Sequence, residues 1–165
     1  MVLLIEPGAD IMSYIKRKNM KSIYQHTQTG YLIIYIFFAI LIKFAFLSTK
    51  VGLSPTLLAT MIFVLLILSS FLTLKVTIND KYLKVKFGYG LFRKKFLLSE
   101  IASVKTVKNR WYYGWGIRIW FWPHMHIYNV SGFDAVEIKM RNDKRYRIGT
   151  NDPQNLEQAI KQVIK

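Results

Sequence analysis

The chain has 165 residues, of which 52% are hydrophobic, and a formal net charge of +15 at pH 7. It contains no cysteine, which excludes disulfides, thiol nucleophiles and cysteine-based zinc sites. The length suits one ordinary domain, or a small domain with an accessory element. Hydrophobicity and charge are separated along the chain, since an apolar block precedes a basic block. The basic block begins at Lys75 and holds eighteen Lys or Arg against seven Asp or Glu.

The first thirty residues contain the stretch "ADIMSYIKRKNMKSIY", in which apolar and basic side chains are mixed. The pattern is compatible with an amphipathic helix lying at a membrane interface. It is equally compatible with a loose basic arm. Both interpretations stay open for residues 1–30.

Two apolar stretches follow, at residues 31–48 and 55–74. Each is close to the length that crosses a hydrocarbon core of about 30 Å. Neither has a polar face, which disfavours a pair of buried helices in a soluble protein, and a second span directly after the first disfavours a cleaved signal peptide. We therefore predict a transmembrane hairpin over residues 31–74, with Ser54 as the N-cap of the second helix and Pro55 as its first residue.

The flanking charges predict the orientation of this hairpin. Its short connector carries Lys50 alone, whereas several cations lie on either side: Lys16, Arg17, Lys18 and Lys21 before it, and Lys75, Lys81, Lys84 and Lys86 after it. By the positive-inside rule, both termini are expected in the cytoplasm.

From residue 75 the pattern alternates with a period of two, as in "YLKVKF". This predicts seven or eight short antiparallel strands, arranged as two near-orthogonal sheets or a small barrel. In the clearest hairpin, Ile138 faces Tyr146 and Glu137 opposes Arg147 on the outside, with a turn at residues 141–143.

An amphipathic helix is predicted to close this region. Asp152 is the expected N-cap and Pro153 the first helical residue. Leu156 and Ile160 belong to an apolar stripe that must cover a face or opening of the sheets.

Three motifs carry a family resemblance: "YYGWGIR" (residues 112–118), "YNVSGFDAVEI" (128–138) and "RIGTNDPQNLEQAI" (147–160). In this order, after a membrane hairpin, they resemble bacterial membrane proteins that carry a pleckstrin-homology-like (PH-like) domain. The resemblance implies an α+β, mainly β fold of two near-orthogonal sheets capped by a C-terminal helix, over residues 75–165. It implies no catalytic residues. From the hairpin and its flanking charges, we expect the chain in the cytoplasmic membrane of a bacterium. The segment "WFWPHMH" is more aromatic than that family leads us to expect.

All four tryptophans lie in "RWYYGWGIRIWFWPHMHIY". A core built from about 75 residues is too small for all of these rings. We predict that Trp115 is buried. Trp120 and Trp122 are two residues apart, so we predict that they lie on the same face of a strand. The remaining rings and nearby cations are the predicted surface for anionic lipid or a protein partner: Arg93, Lys94, Lys95, Arg110, Trp111, Tyr112, Tyr113, Arg118, Trp120 and Trp122.

No cofactor, metal site or catalytic residue is predicted. His124 and His126 fall on one side of a strand but lack an evident third ligand. Asp134 and Glu137 are expected to pair with Arg147 or Lys139 rather than to act as acid and base. The sequence thus favours a non-enzymatic membrane-anchored binding or scaffolding module. Alternatives are membrane-tethered nucleic-acid binding and, third, an enzyme with a histidine-centred site.

Overall fold

The computed structural model describes residues 22–122 and 124–164. In chain order its elements are β1 (Tyr24–Thr29), α1 (Tyr31–Val51), α2 (Pro55–Ser69), β2 (Thr73–Ile78), β3 (Tyr82–Phe87), β4 (Arg93–Leu97), β5 (Ile101–Lys108), β6 (Gly116–Phe121), β7 (His124–Asn129), β8 (Asp134–Met140), β9 (Arg145–Gly149) and α3 (Pro153–Val163). Short 3₁₀ turns cover Leu98–Glu100 and Trp111–Tyr113.

Most side chains of the two apolar helices are exposed, and most of the others are half-buried. Ile33 is the buried residue of α1, and no residue over the described length of α2 is buried. Among the described helices, α1 alone is long and apolar enough to cross a membrane, since α2 has only 15 residues. The second predicted span ends early because Thr73 already begins β2. The structure therefore supports one candidate spanning helix rather than the two predicted.

The cap predicted between the two helices is confirmed. The Ser54 side chain accepts a hydrogen bond from the backbone N–H of Leu57 at 3.1 Å, and Pro55 occupies the first turn of α2.

The first sheet, sheet A, is antiparallel in the order β1-β2-β3-β4. Its strand β1 lies within the segment for which an arm or an interfacial helix was predicted, so residues 24–29 are a strand instead. Residues 1–21 of that segment lie outside the described residues. Only Gly30 separates β1 from α1, and β2 begins soon after α2. Both helices therefore leave the same end of sheet A, called the helix-proximal end below.

The second sheet, sheet B, has the order β5-β8-β9-β7-β6. The predicted register of the β8–β9 hairpin is confirmed, with Ile138 opposite Tyr146 and Glu137 opposite Arg147. The expectation that all strands are antiparallel is wrong for one pair. The β8–β9 hairpin inserts between β5 and β7, so that β9 runs parallel to β7.

Apolar side chains from both sheets and from α3 form one core. Leu83, Val85 and Phe87 line the inner face of sheet A, and Leu156 and Ile160 of α3 are completely buried. The helix packs mainly on β5 and β8. Two sheets with a covering C-terminal helix are compatible with an α+β domain.

Strand β1 passes along the strand ends of sheet B. The Gln28 side chain donates to the Ser131 carbonyl, just after β7, at 2.8 Å. His26 then contacts the Asn151 side chain, just after β9, at 2.5 Å. Because Gln28 is nearer to α1 than His26, the end of β7 lies closer to the helices than the end of β9. In sheet B, β6 lies on the far side of β7 from β9. Strand β6 is therefore the strand of sheet B nearest the helix-proximal end.

Candidate functional site

The outer face of sheet A carries five cations: Lys75, Lys84, Lys86, Arg93 and Lys95, called the basic face below. Alternation in β2, β3 and β4 turns their apolar neighbours inward, which leaves these side chains outward. Among the outward positions of the described strands β1–β4 there is no Asp or Glu.

Like charges lie directly opposite one another on this face. Lys86 of β3 pairs with Lys75 on one side and with Arg93 on the other. Lys84 lies opposite Lys95 in the next row. Because directly opposed like charges destabilise a sheet, this arrangement costs folding free energy and indicates a surface suited to an anionic partner.

The two rows lie at different distances from the helices. Lys75 is two residues into β2, about 7 Å along the strand from Thr73. The row Lys75–Lys86–Arg93 is therefore the helix-proximal row. The row of Lys84 and Lys95 lies about 7 Å further away along the strands.

The predicted binding surface includes Arg93, Lys94 and Lys95, which the structure places apart from the tryptophans. All three lie on β4, in sheet A, while the tryptophans belong to sheet B or its loops. Arg93 and Lys95 join the basic face. Lys94 alternates to the other face of β4 from Arg93 and Lys95, and it lies opposite the buried Val85. It is nevertheless exposed, because β4 is the edge strand of the sheet.

The turn Trp111–Tyr113 covers the outer face of sheet B. Tyr113 is buried there in a small cluster with Met125 and Ile127. The rings of Tyr112 and Tyr113 pack on Trp120, with centroids 5.4 and 4.9 Å away. Tyr113 and Trp120 are consequently part of a second apolar core, which removes Tyr113 from any external ligand, whereas Tyr112 stays exposed.

Two predictions about tryptophan burial need correction. Trp115 is half-buried rather than buried. Trp120 and Trp122 do not share a face, because β6 ends at Phe121 and Trp122 lies in the turn that follows. Trp120 is half-buried and its indole N–H donates to the carbonyl of Trp122 at 2.8 Å, whereas the Trp122 side chain is 90% exposed.

The remaining predicted surface residues are exposed around this sheet. Trp111 is 77% exposed. Arg110 donates a hydrogen bond to the Tyr112 hydroxyl at 2.6 Å, and Arg118 donates from Nε to the Trp115 carbonyl at 3.3 Å. Both guanidinium groups keep further donors for an outside acceptor.

Sequence reasoning missed a set of aromatic residues at the helix-proximal end. The Tyr89 hydroxyl donates to the Leu66 carbonyl of α2 at 2.8 Å. The rings of Trp115 and Phe133 lie 6.4 Å apart, and both Tyr89 and Phe133 are exposed. Tyr89 lies in "GYG" between β3 and β4, and Phe133 lies in "SGF" between β7 and β8. Local patterns do not show that these two loops lie near the helices.

Glu137 was expected on the outside of its hairpin, but it is buried. It accepts a hydrogen bond from Arg147 at 2.8 Å and lies 3.3 Å from the Lys105 ammonium. Burial by itself raises the pKa of Glu137, but the hydrogen bond and charge of Arg147, with Lys105, outweigh it and hold the pKa below its ordinary value. The group is thus a charged structural element beneath Tyr113, whose ring lies 5.4 Å from the Arg147 guanidinium carbon.

The histidines do not assemble a metal site within residues 22–122 and 124–164, where no group of three candidate ligands exists. His126 stacks on Tyr146, with ring centroids 5.1 Å apart. Partial burial, and then the charges of His124, Lys94 and Lys144, lower its pKa. A neutral, stacked imidazole fits a packing role.

Neither a protein-family model nor a curated protein matches the sequence. The PH-like resemblance therefore stays a prediction.

Proposed function

We propose that the chain is a membrane-anchored, non-enzymatic binding module of the PH-like type, whose basic face engages anionic lipid headgroups. In this proposal α1 and α2 insert into the cytoplasmic membrane of a bacterium, and both sheets lie on the cytoplasmic side. The observation that carries it is the basic face: five cations without an outward carboxylate among the described strands of sheet A, with one row next to the helices.

Insertion of the helices is supported by their exposure. A 21-residue apolar helix that buries one side chain exposes a large apolar surface to water unless lipid covers it. Helix α2 is about 22 Å long, shorter than a hydrocarbon core of about 30 Å. Local thinning of the bilayer accommodates a short helix at modest cost.

Electrostatics supports the choice of ligand. The helix-proximal row lies about 7 Å along the strand from Thr73, the first residue of β2, and this distance is shorter than one Debye length of about 8–10 Å. Each cation close to an anionic leaflet contributes about 1 kcal/mol of attraction. An anionic surface also relieves the repulsion between Lys75, Lys86 and Arg93.

The experiment uses the full-length protein in a neutral detergent, titrated with phosphatidylglycerol or phosphatidylcholine and followed by native mass spectrometry. The variant Lys75→Gln/Lys86→Gln/Arg93→Gln is expected to bind phosphatidylglycerol roughly 100-fold more weakly, from about 1 kcal/mol per cation. A matched control removes three exposed cations elsewhere: Lys108→Gln/Arg141→Gln/Lys144→Gln. Equal loss in both variants, or equal binding of both lipids by the wild type, would contradict the proposal.

A protein partner is the second candidate ligand. It is favoured by the row of Lys84 and Lys95, which lies further from the helices than the first row. An acidic protein bound there predicts that Lys84→Gln/Lys95→Gln abolishes crosslinking to that protein in native membranes while phosphatidylglycerol binding persists.

A further inference from the structure

Strand β6 is an edge of sheet B with an unusually apolar exposed side. Ile117, Ile119 and Phe121 alternate along it and share one face, and all three are exposed. Exposure rises along the strand to 82% at Phe121, and Trp122 follows at 90%. Soluble proteins avoid long apolar edge strands because their unpaired backbone groups promote aggregation, so this edge requires a cover.

The beginning of this strand lies against the two helices. Gly116 and Ile117 line an open groove of about 460 Å³ with Leu32 and Ile36 of α1 and Leu68 of α2. The groove is therefore continuous with the exposed apolar surface of α1. On its other side, Ile117 borders a smaller cavity with Leu91 and Phe92, from the turn at the helix-proximal end of sheet A.

The opposite edge of the sheet faces away from the helices. Strand β5 forms that edge and packs under α3. Arg141 directly follows β8, and its backbone N–H donates a hydrogen bond to the carbonyl of Glu100. Glu100 directly precedes β5 and lies at the end of sheet A that is remote from the helices. Sheet B thus presents β6 toward the helix ends and β5 away from them.

We infer that β6 and Trp122 lie in the interfacial layer of the leaflet from which the helices emerge, with Ile117, Ile119 and Phe121 against the lipid. The inference rests on the proposed insertion of α1 and adds a second membrane contact that fixes the tilt of the domain. Aromatic rings are favoured at this level, and Arg118, on the other face of the strand, reaches lipid phosphates. The free backbone groups of an edge strand require water or headgroup partners, which places β6 at headgroup depth and no deeper.

The absence of cysteine from the sequence makes a direct test practicable. Single cysteines replace Ile119 and Phe121, and each full-length variant is spin-labelled in lipid nanodiscs. Electron paramagnetic resonance then compares collisions with oxygen, which concentrates in lipid, and with a water-soluble nickel chelate. Ser103→Cys on β5 is the control at the opposite edge, and Phe38→Cys in α1 reports insertion of the helix.

The expected result is at least a fivefold higher oxygen-to-nickel collision ratio at positions 119 and 121 than at 103, with a still higher ratio at 38. Nickel collisions at 119 and 121 equal to those at 103, with position 38 in lipid, would overturn the membrane contact of β6 while leaving the anchor intact. Low collision rates with both reagents at 119 and 121 would overturn it in favour of a covering protein or a second copy. A water-exposed position 38 would overturn both the contact and the anchor.

Discussion

Tyr24 and Asp152 join the first described strand to the start of the last helix. The Tyr24 hydroxyl donates to Asp152 Oδ2 at 3.1 Å across 128 positions of sequence. Burial, followed by the Asp152 carboxylate, raises the pKa of Tyr24 well above its ordinary value, so the phenol stays protonated as a donor. The segment before α1 is thereby fixed to the same domain that follows α2.

Removal of this hydrogen bond should loosen β1. We expect Tyr24→Phe to lower the free energy of unfolding by about 1.5 kcal/mol, the lower value for a hydrogen bond to a charged group. The thermal midpoint of the full-length protein in detergent measures the effect. Tyr82→Phe, on the outer face of sheet A, is the control, and equal midpoints for both variants would refute a structural role for the Tyr24–Asp152 contact.

Neutralisation of Glu137 should leave Arg147 without its buried counter-charge. We expect Glu137→Gln to cost about 3 kcal/mol, and to lower the thermal midpoint by roughly 10 °C. Asp143→Asn removes an exposed carboxylate paired with Lys139, and should not change the midpoint. If Glu137→Gln were as stable as Asp143→Asn, the ion pair would not contribute to the fold.

His126 should make the domain sensitive to mild acid. Because its pKa is lowered in the folded state, the unfolded chain binds more protons just below the ordinary value of 6.5, and stability falls as pH decreases through that range. The groups facing the ring are His124, Lys94 and Lys144, so protonation adds a charge among cations. The measurement is the thermal midpoint at pH 7.5 and 5.5.

We expect His126→Phe, which keeps a ring stacked on Tyr146, to reduce that change in midpoint. An unaltered pH dependence in His126→Phe would show that other groups cause it.

Relief of charge repulsion on the basic face should stabilise the domain and weaken its binding. Lys86 has Lys75 and Arg93 directly opposite, so Lys86→Thr is expected to raise stability by about 1 kcal/mol and to weaken binding of phosphatidylglycerol. The gain should shrink at 0.5 M salt, which screens exposed charges. Lower stability of Lys86→Thr at low salt would contradict the account of this face.

The sequence was informative where a local pattern determines the outcome. The register of β8 and β9 followed from matching Ile138 with Tyr146 across a short turn, and Ser54–Pro55 correctly marked the start of α2. The side on which Glu137 lies also followed from alternation, but its burial did not. That burial requires the turn Trp111–Tyr113, which folds back over sheet B from a distant part of the sequence.

Long-range pairing explains the other differences. Strand β1, "YQHTQT", has no apolar alternation and is a strand only because β2 pairs with it. The second helix appeared longer than it is, because Leu74 is apolar both in a membrane span and in the core of β2. The parallel pair of β7 and β9 depends on the order of all five strands, which local patterns do not specify.

The proposed engagement of the anionic leaflet is tested most directly by the lipid that accompanies the protein out of its membrane. The full-length protein is extracted into polymer-bounded discs without detergent, and the lipids in the discs are compared with those of the bulk membrane. We expect enrichment of anionic phospholipid around the wild type, and the bulk ratio around Lys75→Gln/Lys86→Gln/Arg93→Gln. A bulk ratio around the wild type would contradict it.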